Sequence, residues 1–312
     1  MIFGDLAETG EPQNVPRWLD VSAAFSAPPP PLDFVLPGLK SGTVGSVVAA
    51  GATGKTLLAL QLATLVSGGI DTLGLAGQEW RPTGGRVLYL SAEDPADVLA
   101  TRLHAIGAAL DDTARAAVHA NLFVAPLIGC GADLGSSHWQ QWIMRVATGA
   151  RLAIFDTMRR FHTKDENDGG AMAGVLAVLE RLCLQAGTTV LFLHHTNKTG
   201  ALNGSEEQQA SRGSSVLTDN VRWQANMAVM TVQQAKSACI RDDERKRYVR
   251  LSFPKINYAA PIADRWFQRG AGGVLRPVEL DIAPSAAPAA AVRRGAGQQR
   301  TPRVYGRTNS AI

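Results

Sequence analysis

The sequence predicts an α/β fold: a mostly parallel, twisted sheet flanked by helices and finished by antiparallel C-terminal strands. Three observations carry this reading. Short apolar runs at 87–91, 122–126, 152–155 and 188–195 alternate with stretches of helical periodicity, the pattern of strand–helix–strand units in a sheet covered on both faces. A glycine-rich segment, Ala49-Ala50-Gly51-Ala52-Thr53-Gly54-Lys55-Thr56, joins a strand-like run at 43–48 to a helix-like run at 57–66. From about Gln224 the pattern changes to closely spaced strand-like runs, and an antiparallel edge on a parallel sheet is common.

Along the chain, residues 1–31 mix acidic, glycine and proline residues and end in Pro28-Pro29-Pro30-Pro31. They read as an extended N-terminal arm with one short helical stretch at 18–25, suited to exchange with a neighbouring subunit. The folded body begins near Leu32-Asp33-Phe34-Val35-Leu36-Pro37. After the helix at 57–66, Gly68-Gly69 supplies a stop signal. A strand at 87–91 then leads to a helix at 96–109, a strand at 122–126, and a helix at 139–147 before the strand at 152–155. Apolar residues at helical spacing over 172–186 pass through Gly187 into the strand at 188–195. Strands follow at 227–232, 247–253, 265–269 and 274–280, the last two joined by the hairpin signal Gly270-Ala271-Gly272-Gly273. Residues 282–312 hold too little apolar surface to order themselves. The division is therefore an arm at 1–31, a body at 32–281 and a basic tail at 282–312.

The 312 residues suffice for one large α/β domain with extensions, or for two small ones, with a full core. The tail holds five arginines (Arg293, Arg294, Arg300, Arg303, Arg307) and no acid. Without them the chain carries 26 basic against 27 acidic residues, so any nucleic-acid contact by the body must be a local patch and not a global field. Cys130, Cys183 and Cys239 lie far apart, with no paired spacing and no ligand set, which predicts reduced, mostly buried thiols in a cytoplasmic protein. The opening Met-Ile-Phe-Gly-Asp lacks the basic-then-apolar order of a secretory leader. No apolar run approaches ~20 residues, and no membrane partner is expected.

The glycine-rich segment ends in Gly-Lys-Thr between a strand and a helix, which is what a phosphate-binding loop requires. Gly51 and Gly54 let the backbone curl, so that successive N–H groups from Ala50, Gly51, Ala52, Thr53, Gly54, Lys55, Thr56 and Leu57 aim at phosphate oxygens. Lys55 reaches the β- and γ-phosphates, and the Thr56 hydroxyl sits on Mg²⁺. Ala49 replaces the first glycine of the pattern; that position closes the strand, and a small residue suffices. The alternative is a glycine-rich turn that merely resembles the motif, and the flanking elements weigh against it. The expected cofactors are ATP and Mg²⁺.

An ATPase of this type needs an acid at the end of a second strand to hold the metal or its waters. Leu152-Ala153-Ile154-Phe155-Asp156 supplies one, and Asp156 is the metal candidate beside Thr56. A turn aspartate is the competing reading. Glu93 and Asp94 follow another strand, and C-terminal strand ends line the ligand crevice of an open α/β sheet. Glu93 is the candidate base for the attacking water, with Asp94 capping the helix behind it. His194 and His195 close the strand at 188–195. Adjacent histidines face opposite sides of a strand, so His195 reads as a γ-phosphate sensor and not a metal ligand, with a purely structural pair as the alternative. Asp165-Glu-Asn-Asp-Gly-Gly superficially resembles a calcium loop, but Gly169 and Leu176 occupy liganding positions and exclude it.

The phosphate loop, Ser-Ala-Glu-Asp, Phe-Asp-Thr-Met-Arg-Arg-Phe-His and Leu-His-His-Thr-Asn-Lys occur in RecA-family order. With Gln208-Gln209-Ala210-Ser211-Arg212-Gly213-Ser214-Ser215 and Ala263-Asp264-Arg265-Trp266-Phe267, the chain resembles the RepA family, the hexameric replicative DNA helicases of broad-host-range IncQ plasmids, from about Ala23 to Leu280. The resemblance implies a RecA-like core with catalytic roles for Lys55, Thr56, Glu93, Asp156 and His195. It implies an arginine finger at Arg212, donated by the neighbouring subunit, and a second trans-acting arginine at Arg265 that touches nucleotide. Arg212 lies in a Ser/Gly-rich loop with no acid within four positions, which is compatible with that role, as it is with a solvated surface arginine. The implied partners are a homo-hexamer, single-stranded DNA at a replication fork, and plasmid initiator and primase proteins.

DNA would meet the loops after Asp156 and His195, which carry Arg159, Arg160, His162, Lys164 and Lys198; six copies facing one axis would track the phosphate backbone without reading sequence. Arg159 and Arg160 could equally pair with Asp165 and Glu166. The leading expectation is an ATP-driven replicative helicase. The alternatives are a DNA-stimulated ATPase of repair or recombination that separates no strands, and a nucleotide-gated assembly module.

Overall fold

The computed structural model of the chain describes residues 18–77, 80–195, 215–280 and 282. A nine-stranded sheet runs from edge to edge as β11 (Leu275–Val278), β10 (Arg265–Arg269), β9 (Tyr248–Ile256), β8 (Trp223–Val229), β3 (Val44–Ala49), β7 (Thr189–His195), β6 (Leu152–Asp156), β4 (Val87–Ser91) and β5 (Leu122–Pro126). The strands from β8 to β5 pair in parallel, while β9, β10 and β11 pair antiparallel. A two-stranded hairpin, β1 (Phe34–Leu36) and β2 (Leu39–Lys40), precedes β3.

Alternation along the strands sends side chains to two cores. Val47, Tyr89, Ile154, Leu191 and Met227 meet α2 (Lys55–Gly68) and α3 (Ala96–Gly107) on one face. Leu90, Ala153, Phe155 and Phe192 lie under α5 (Ser137–Ala147) and α6 (Gly169–Ala186) on the other. Because α2 sits over the middle of the sheet, it is buried nearly all round, which explains its unbroken Leu-Leu-Ala-Leu-Gln-Leu-Ala-Thr-Leu-Val run. Gln61 is polar but 2% exposed, and its amide exchanges two hydrogen bonds with the backbone of Leu275, at 2.9 and 2.8 Å. The phosphate-loop helix is thereby stitched to the far edge of the sheet.

Several boundaries differ from the sequence reading for local reasons. α6 starts at Gly169 because the Asp168 carboxylate accepts from the N–H groups of Gly170 and Ala171, at 2.9 and 3.1 Å. The acidic run before it is thus a helix start. α4 (Asp112–Asn121), not expected from the sequence, is capped by Asp111 and buries little beyond Ala114. β8 ends at Val229 because Thr231 and Gln234 form a capping box that opens the helix Val232–Ser237. Of the thiols, Cys183 is buried, and burial pushes it up to about 12; Cys130 and Cys239 are exposed, which corrects the expectation of mostly buried cysteines.

The short helix expected in the arm is α1 (Val21–Ser26), capped by Asp20; it buries nothing and leaves Trp18 and Phe25 98% and 87% exposed. Among the described residues only α6 is long and apolar enough to cross a membrane, and its face of Met172, Leu179 and Leu182 packs into the second core.

Candidate active site

Where β3 ends, the chain curls through residues 50–54 into α2. Ala52 and Gly54 adopt positive φ, +60° and +93°, and Thr53 closes the curl by donating to the Ala50 carbonyl at 2.7 Å. Gly54 takes the cap position of α2 without a side-chain bond, so the helix's first N–H groups stay available to an anion. Lys55 is buried, and its ammonium donates to the carbonyls of Ala49 and Ala50 at 2.9 and 3.1 Å. It also stands 3.0 Å from Nδ1 of His195. A charged lysine makes Nδ1 the acceptor, which places the imidazole proton on Nε2, the nitrogen 3.7 Å from Oε1 of Glu93. Burial lowers the Lys55 pKa to about 8, against the attraction of Asp156 and Glu93.

Asp156 ends β6 with no exposure at all. Its Oδ2 accepts from the Tyr89 hydroxyl at 2.6 Å, while Oδ1 is buried with no partner among the described residues. Burial raises the carboxyl to about 6, and hydrogen bonds from Tyr89 and Thr56 only partly oppose this. An orphaned carboxylate oxygen beside a threonine hydroxyl fits a hard divalent cation such as Mg²⁺. No group of three or more His, Cys, Asp or Glu gathers among the described residues. That suits an ion completed by phosphate oxygens and water, not one caged by protein.

Glu93 follows β4. Its Oε1 accepts from the Thr157 hydroxyl at 2.8 Å. His195 first, then Thr157 and Arg160, hold this carboxyl below the usual range against the opposing effect of burial. Asp94 does not cap α3, as expected from sequence: Pro95 takes that position, and Asp94 forms an ion pair with Arg102 one face further along the helix. His194 and His195 do face opposite sides of β7. His194 is buried, and burial drives it down to about 4, so it is neutral; His195 opens to the cleft.

These side chains bound a cleft of about 430 Å³ lined by Thr53, Lys55, Glu93, Thr157, His195 and Arg269. The carboxyl ends of β3, β4, β6 and β7 meet there, as an open α/β sheet dictates. Arg269, Thr157 and Tyr89 were not distinguished by the sequence, since each reaches the site through the sheet order and no local motif marks them. Arg265 stands at the start of β10, level with Ala49 through the pairings Arg265–Leu251, Met227–Leu251 and Ala49–Met227. Three strand spacings separate them, about 14 Å, so Arg265 does not touch the loop of its own chain.

Arg159 and Arg160 are exposed on the turn Met158–Phe161 directly after Asp156-Thr157, and Lys164 is exposed beyond it. The pairs with Asp165 and Glu166 do not form: Asp165 accepts from Asn167 at 2.9 and 3.0 Å, and Glu166 faces His162 at 3.9 Å. His162 is buried, which corrects its expected exposure beside the arginines. Lys198, Arg212 and most of the tail fall outside the described residues.

The model of an AAA domain matches residues 9–201. Among solved structures, the ATPase domain of a helicase superposes with a TM-score of 0.54 at 12% identity, covering 83% of this chain and 96% of that one. A KaiC-like protein from the hyperthermophilic archaeon Pyrococcus horikoshii OT3 superposes with a TM-score of 0.50 at 14% identity, covering 80% of this chain and all of the other, 100%. At such identities the likeness establishes the fold, a RecA-like ATPase core with antiparallel C-terminal strands. With a phosphate loop in that core and a match spanning most of its length, the chain belongs to the AAA domain family.

Proposed function

We propose that the chain is an ATP hydrolase working as a ring-shaped homo-hexameric replicative DNA helicase of the RepA type, moving on single-stranded DNA to open a plasmid replication fork. The observation that carries this is the convergence of Lys55, Thr56, Glu93 and Asp156 on one cleft at the carboxyl edge of the sheet. In the proposed reaction Lys55 leaves the Ala49 and Ala50 carbonyls for the β- and γ-phosphates, and the free N–H groups of the loop and α2 hold the remaining oxygens. Glu93 orients and deprotonates the attacking water. Thr56 and Asp156 would hold Mg²⁺, which when bound supplies neutralisation of charge on the phosphates.

His195 touches both Lys55 and Glu93, so it is suited to register the γ-phosphate and to pass its loss to the segment that follows β7. That segment carries Lys198 and Arg212, the latter proposed to complete the neighbouring subunit's site, with Arg265 as a second trans-acting arginine. Arg159, Arg160 and Lys164 supply an exposed positive edge for the DNA backbone. The uncovered apolar side chains of Trp18 and Phe25 support a 1–31 arm that seats on another subunit, ahead of a body at 32–281 and a basic tail at 282–312. Plasmid initiator and primase proteins are the proposed partners.

A forked duplex incubated with the protein and ATP tests the reading. Strand separation, with turnover stimulated by single-stranded DNA, is expected. Stimulated turnover without separation would replace the helicase by a translocating ATPase of repair or recombination. Nucleotide binding without DNA stimulation would leave only a nucleotide-gated assembly module.

A further inference from the structure

We propose that Arg269 is a nucleotide ligand in cis, gripping the polyphosphate held by the phosphate loop of its own chain. The inference rests on the nucleotide-binding reading above and adds a cation that neither the loop motif nor the trans-acting arginines include.

The guanidinium lies across the loop. One terminal nitrogen donates to the Thr53 carbonyl and the other to the Lys246 carbonyl. A Cβ built on Gly54 would come within 3.7 Å of Nη2 and 3.9 Å of Nε, so the charge stands over the glycine that opens α2. Both partners are neutral oxygens, and among the described residues Arg269 has no carboxylate within ion-pair distance, whereas Arg102 across the same cleft has Asp94. Burying an arginine half-way without a counter-charge is costly, and the missing counter-charge is what a polyphosphate would bring. Two of its five N–H donors are used by the carbonyls, leaving others for phosphate oxygens in the fork geometry that suits them.

The hairpin after β10 fixes this arginine in place. Gly272 and Gly273 adopt φ +64° and +79°. A Cβ on Gly272 would stand 2.6 Å from Cβ of Ala105 in α3, and one on Gly273 would stand 3.1 Å from Cδ2 of Leu57 in α2. The Gly270 N–H closes the turn on the Val274 carbonyl at 2.8 Å, and Gln61 holds Leu275 from both sides. The hairpin is thus pressed onto both helices that flank the loop, and Arg269 meets its ligand with little ordering left to do.

The test is displacement of a fluorescent ATP analogue from the full chain by ATP and by inorganic tripolyphosphate, for wild type, Arg269→Ala, Arg269→Gln and Arg269→Lys, each checked for a wild-type unfolding midpoint. Glutamine retains a donor for the Thr53 carbonyl but no charge; lysine retains the charge. The expected result is affinity on the order of tenfold to hundredfold weaker for both competitors in Ala and Gln, with Lys recovering most of it. Wild-type affinity in Arg269→Gln would reduce the residue to a brace for the loop and overturn the proposal alone. Absence of any binding by wild type would overturn the nucleotide site and the proposal with it.

Discussion

The Lys55 ammonium and Nδ1 of His195 stand 3.0 Å apart, joining the first residue of α2 to the last residue of β7. His195 in turn faces Glu93, and Glu93 accepts from Thr157, which leads into the exposed Arg159-Arg160 turn. One line of polar contacts therefore runs from the phosphate loop through the candidate base to the basic edge. A phosphate that draws Lys55 away from His195 alters the first link of that line.

The lowered pKa of Lys55, about 8, gives ATP affinity a defined pH dependence. Below that value the free protein already carries the charge that phosphates need. Above it, binding must take up a proton, so affinity should fall by up to about tenfold per pH unit. Titration calorimetry from pH 7 to 9.5 checks this (a range set by the ~8 midpoint), with Lys55→Ala expected to bind far more weakly at every pH.

Asp156 should cost stability where it is ionised. An unfolded aspartate releases its proton near pH ~4, whereas the folded one holds it to about 6, so stability falls as pH rises through that window. A separation of that size is worth up to about 3 kcal/mol above the folded pKa. Asp156→Asn should be more stable than wild type by roughly 1–3 kcal/mol at pH 8 and no more stable below pH ~4, by denaturant melts without nucleotide. It should hydrolyse no ATP.

Gln61→Leu should destabilise the chain by about 2–4 kcal/mol, because it strands the buried N–H and carbonyl of Leu275 together. Equilibrium unfolding measures it. A smaller hydrophobic residue there should be worse, since a cavity in α2 adds to the loss.

The elements with plain local signals were legible in the sequence. β4, β5 and β10 lie where their apolar or alternating runs placed them, and the phosphate loop falls between β3 and α2. α4 escaped because it is a polar, alanine-rich helix with little to bury, and the β1–β2 hairpin because its strands are three and two residues long. Lys55, Glu93, Asp156 and His195 were recognisable because each lies at or just past a strand end. Arg269 and Tyr89 were not, since a side chain that reaches the loop from β10 or the acid from β4 is positioned by strand order, which no window of sequence encodes.

The central claim, that Glu93 activates water against a nucleotide held by Lys55, is tested most directly by ATP turnover of Glu93→Gln beside wild type, with nucleotide affinity measured on the same samples. Turnover should fall by about 10²- to 10⁴-fold while affinity stays within a few-fold. Hydrolysis at the wild-type rate by Glu93→Gln would contradict the account.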